Sequence, residues 1–70
     1  MNQAEARAAF EAEILQLRDP AVSRRCAQLL QAITRGGGVV TARDMKRLYG
    51  HLDPEQQVVA FVVDTREMAS

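Results

Sequence analysis

The segment Val58-Val59-Ala60-Phe61-Val62-Val63, set behind Asp53-Pro54-Glu55-Gln56, constrains this chain most. Asp-Pro is a helix start. The aspartate side chain receives the first free N–H groups, and proline at the first helical position lacks an N–H that would go unpaired anyway. Wound at about 100° per residue, Val58, Val59, Phe61, Val62 and Val63 spread over roughly 200° of the circumference. One face cannot bury them all. A second surface has to cover the remainder, and a second copy of the chain is the simplest. The β-branched run also reads as a strand. The cap, the proline and the lack of a convincing partner strand favour helix.

Size leaves few other routes to stability. The chain has 70 residues, which allows one domain, 1–70. Chains this small rely on disulfides, metals, self-association or regular helix packing. Cys26 is the only cysteine, so no intrachain disulfide forms. One cysteine and one histidine do not close a four-ligand zinc site, and no cofactor or metal is expected. Hydrophobic residues make up 47 %, but eleven of them are alanines, which favour helix and bury little.

The periodicity predicts four helices, over about 3–18, 20–35, 42–50 and 54–67. In the first, Ala6, Phe10, Ile14 and Leu17 form one stripe that Leu15 broadens, with Asn2 as N-cap and Glu5 three residues on. Asp19-Pro20 opens the second, whose core positions are Val22, Cys26, Leu29, Leu30 and Ile33. Gly36 is expected to end it as a C′ residue. The short link predicts a hairpin of helices one and two. Gly36-Gly37-Gly38 reads as a hinge or turn, since a phosphate loop needs GxxxxGK[ST] between strand and helix. Thr41, with Asp44 at N3, starts the third helix, whose apolar face is Met45, Leu48, Tyr49 and Leu52. The expected fold is all-α, a small bundle of about four short helices with a glycine-rich hinge, completed by dimerisation.

Charge is segregated although the net charge is zero. Residues 1–17 sum to −2, residues 18–47 to +5 and residues 48–70 to −3. The blocks neutralise one another, within a chain or between copies, or the basic middle forms a face for an acidic partner. The residues expected in such a patch are Arg24, Arg25, Arg43, Lys46 and Arg47.

Nothing in the chain assembles catalysis. His51, the only histidine, sits at a helix end, where it complements the dipole. Cys26 lies on an apolar stripe and packs as a small hydrophobe. Ser23, Thr34, Thr41 and Thr65 carry no nucleophile signature. Met1–Ala12, broken by Glu5, Arg7 and Glu11, holds no continuous apolar run of a secretion signal, and no segment reaches the ~20 apolar residues of a membrane span. A soluble cytoplasmic protein is expected. Eight arginines to one lysine point to a GC-rich bacterial or phage genome.

These readings lead to a non-enzymatic interaction module, an adaptor, regulator or inhibitor that occupies a partner's surface. Val58, Val59, Phe61, Val62 and Val63 are expected to mediate self-association, and the basic patch to contact an acidic protein. The alternative is a nucleic-acid-binding regulator with a degenerate helix-turn-helix over residues 41–67. Thr41–Gly50 looks like the first helix and turn of that motif. The helix that follows offers Glu55, Gln56, Gln57, Asp64 and Glu67 with only Arg66 positive, which suits phosphates poorly.

Overall fold

Three of the four helices begin where a short polar side chain meets the free N–H groups of the first turn. The computed structural model describes residues 1–66, in which α1 (Gln3–Glu13), α2 (Pro20–Arg35), α3 (Ala42–Tyr49) and α4 (Pro54–Arg66) make an all-α fold. Asn2 Oδ1 accepts the Glu5 N–H at 2.8 Å. Asp19 Oδ1 accepts the N–H groups of Ala21 and Val22 at 2.9 and 3.1 Å. Asp53 Oδ1 accepts the Gln56 N–H at 3.1 Å. These caps fix the register of α1, α2 and α4 from local sequence alone. The run Val58–Val63 is helical throughout.

The first helix is shorter than its periodicity suggests. After Glu13 the chain tightens into a 3-10 turn, Ile14–Gln16, and Leu17 turns extended. Pro20 forces the same outcome from the other side, since its ring holds Asp19 in an extended conformation with φ −146° and ψ 167°. The tighter winding shifts the phase of the side chains. Leu15, expected to widen the core stripe, is 78 % exposed, while Ile14 and Leu17 stay packed against the core.

The glycine run is a built turn in which every residue has a task. Gly38 N–H reaches the Ile33 carbonyl at 2.8 Å and Gly37 N–H reaches that of Thr34 at 3.0 Å, the paired bonds of a Schellman end. The C′ residue, left-handed at φ 90°, is Gly37 and not Gly36. Gly36 still gives its N–H to the Ala32 carbonyl at 3.0 Å, so the helical bonding runs one residue further. A Cβ on Gly36 would meet the Gln3 backbone nitrogen at 2.8 Å, so the start of α1 packs directly on this turn.

The core is built by α1, α2 and α3. Ala6, Phe10, Cys26, Ala27, Leu30, Ile33, Leu48 and Tyr49 are buried, and α1 and α2 share the most extensive contact in the fold. Val22 and Leu29, on the expected stripe of α2, are half-buried at its margin.

Four charged side chains close α1 onto α3. Asp44 is 4 % exposed, and Arg7 grips its two carboxylate oxygens through two bonds of 3.0 Å. Arg7 also donates to the Val39 carbonyl at 3.0 Å. The Thr41 N–H gives Asp44 a third donor at 3.1 Å. Arg47 holds Glu11 through two bonds, of 2.7 and 3.0 Å. Both guanidinium groups lie over the Phe10 ring, 5.6 and 5.3 Å from its centre. Bidentate pairs of this kind are the stronger sort of ionic contact.

Candidate interaction surface

The fourth helix is built inside out. On its inner side stand Gln57, Ala60, Phe61, Asp64 and Thr65, all half-buried. On its outer side stand Val58, Val59, Val62 and Val63, exposed at 59, 57, 45 and 51 %. No residue of α4 is fully buried.

Polar bonds hold it in place. The Gln57 side-chain amide donates to the carbonyls of Tyr49 and Leu52 at 3.2 and 3.0 Å, bridging the turn after α3 in which the Tyr49 carbonyl also accepts the Leu52 N–H at 2.9 Å. The Tyr49 hydroxyl donates to Asp64 Oδ2 at 2.5 Å. Burial, with the Asp64 carboxylate as its partner, pushes the Tyr49 phenol far above its ordinary value, so it remains a donor. Phe61 and Ala60 supply the apolar part of the contact by packing against the core. Of the five residues expected to self-associate, four valines therefore lie together on the outer face, and Phe61 lies on the inner one.

The basic residues fall into two groups. Arg25 pairs with Glu13 at 3.0 Å, and Arg47 is held by Glu11. The acidic first helix thus neutralises part of the basic middle. Arg43 and Lys46 stand exposed on α3, and Arg24 is half-buried on α2.

A cleft of about 450 Å³ gathers Leu17, Ser23, Leu48, His51 and Asp64. Nucleophilic catalysis needs a base in hydrogen-bond reach of the nucleophile. Among the described residues no bond joins Ser23 to His51, and Asp64 is engaged by Tyr49. Cys26 is fully buried, and burial, reinforced by Glu13, pushes its thiol up to about 11, so it is uncharged at neutral pH. Among the described residues no His, Cys, Asp and Glu cluster could hold a metal ion, and no helix is long and apolar enough to cross a membrane.

Sequence reasoning found the valines but not their separation from Phe61. Counting 100° per residue places Phe61 nearly opposite Val59 and Val63, which was available as a signal. The polar anchors were harder to see, because Gln57 and Asp64 look like solvated residues until α3 is placed beside them. Comparison with protein-family models, with curated proteins and with solved structures finds no match for this chain.

Proposed function

We propose that this chain is a non-enzymatic helical interaction module that acts by occupying a protein surface, as an adaptor, regulator or inhibitor, with the outer face of α4 as its docking surface. The carrying observation is the inversion of α4: its polar residues anchor it inward while Val58, Val59, Val62 and Val63 face solvent. A helix that buried its valines would gain roughly 1.5–3 kcal/mol for each one fully covered. That gain is left for a partner to collect. Scattered exposed apolar residues are ordinary, but four contiguous ones on one helical face form a patch. Arg43 and Lys46, exposed on α3, add positive charge that would orient an acidic partner.

Binding between purified components, after capture from the native host, tests this reading, with a second copy of the chain included among the partners. Val59→Glu with Val62→Glu changes two exposed positions, so the helical circular-dichroism signal should stay as it is. Binding should fall at least about tenfold, as loss of a central apolar contact does. Unchanged binding of every partner, the second copy included, would rule out the valine face as the working surface.

A further inference from the structure

The outer face of α4 carries a charge at each end as well as four valines between. Glu55 and Arg66 are both exposed, and they lie eleven residues apart in one helix. Eleven residues advance about 16 Å and bring the helix round to within about 20° of its starting direction. Glu55, the valines and Arg66 therefore make one stripe, acidic at its N-terminal end, apolar in the middle and basic at its C-terminal end.

Such a stripe is complementary to itself when reversed. Resting on the reading of this face as a docking surface, we propose that its occupant is a second copy of the chain, paired through α4 in antiparallel orientation about a two-fold axis. The axis passes midway between Val59 and Val62. Glu55 of each copy then meets Arg66 of the other and Val59 meets Val62, while Val58 and Val63 cover the two flanks of the seam. A parallel pairing would set Glu55 against Glu55 and Arg66 against Arg66, and repulsion would oppose it at both ends. Two-fold symmetry is the commonest way for one patch to satisfy itself. Phe61 stays in its own core and takes no part. Arg43 and Lys46 on α3 are not used by the contact.

Sedimentation equilibrium on the full chain, from about 10 µM to 1 mM because a single helix face makes a small interface, gives the test. The wild type should show a monomer–dimer equilibrium in that range. Glu55→Arg and Arg66→Glu each replace two attractive pairs by two repulsive ones, and each should weaken the dimer about tenfold or more. Glu55→Arg with Arg66→Glu in one chain restores both pairs in reversed sense, and should return association to within about threefold of the wild type. An equal mixture of the two single variants should also associate more tightly than either alone, which controls for any effect of one charge on its own helix. A wild type that remains monomeric overturns the proposal. So does a double variant no tighter than the singles. If the wild type is monomeric while Val59→Glu with Val62→Glu abolishes capture of another protein, the face belongs to a heterologous partner and only the self-pairing fails. If that double variant changes neither association nor capture, the docking surface itself fails.

Discussion

The hairpin of α1 and α2 and the helix α4, which packs on α2, use the same residue types in opposite ways. In the hairpin, Phe10, Leu30 and Ile33 are buried. Its charges are tied down at the margin, Arg25 to Glu13 and Glu11 to Arg47 of α3. In α4 the valines face solvent, and Gln57 and Asp64 face the protein. The hairpin is held by burial, which gains with every square ångström covered. The helix α4 is held by Phe61, Ala60 and three hydrogen bonds, which contribute modestly in net terms. The first arrangement completes a core, and the second leaves an apolar surface facing outward.

Substitutions should separate the two regions by size of effect. Leu30→Ala removes a fully buried side chain and is expected to cost about 2–5 kcal/mol, read by chemical denaturation. For a domain of this size that is much of its total stability. A cost below that of Leu29→Ala, at the half-buried margin, would mean the hairpin is rotated.

The α1–α3 clasp comes next. Asp44→Ala leaves Arg7 with only the Val39 carbonyl and Glu11 as partners and is expected to cost about 1–3 kcal/mol, since Arg7 keeps partial access to water. The clasp also sets the direction of acid sensitivity. Hydrogen bonding from Arg7 holds Asp44 below its ordinary value, against burial that raises it. Hydrogen bonding from Arg47 does the same for Glu11. Groups with lowered values contribute stability that is complete above the usual carboxylate range near ~4 and is lost as pH falls through the lowered values. Thermal denaturation should show a midpoint that drops on acidification below that range. Asp44→Asn should flatten the drop, and an unchanged slope would mean that the clasp is open in solution.

Tyr49→Phe removes the bond to Asp64 and little else. It is expected to cost about 1 kcal/mol, with amide exchange speeding up in α4 more than in α2. Equal acceleration in both would show that α4 does not loosen independently of the core. Smallest of all, Val59→Ala at an exposed position should change stability by less than about 0.5 kcal/mol.

Much of this architecture could be read from local residues. Asp19-Pro20 and Asp53-Pro54 announced their helices because capping depends only on neighbours a few positions away. The stripe of Val22, Cys26, Leu29, Leu30 and Ile33 pointed one way, and the structure packs all five against or within the core. The early end of α1 was less visible, because the 3-10 turn at Ile14 keeps the composition of a helix while changing its phase. The Arg7–Asp44 and Arg47–Glu11 pairs join residues 37 and 36 positions apart, and no local pattern encodes which arginine meets which acid. For the same reason, the basic block looked more available than it is: Arg25 and Arg47 are already engaged by α1. The valine face was visible as an excess of apolar residues, but its orientation required knowing that Tyr49 receives Gln57 and Asp64 on the opposite side.

Methyl NMR with a water-soluble paramagnetic probe, on chain labelled at valine and leucine, tests most directly whether α4 presents its apolar side outward for binding. In dilute solution the Val58, Val59, Val62 and Val63 methyls should broaden strongly while those of Leu30 stay sharp. As the chain concentration rises, or the true partner is added, those valines should become protected and Leu30 should not change. Valine methyls already protected in dilute solution would contradict the outward orientation of α4, and valines that stay exposed under every condition would contradict its use as a docking surface.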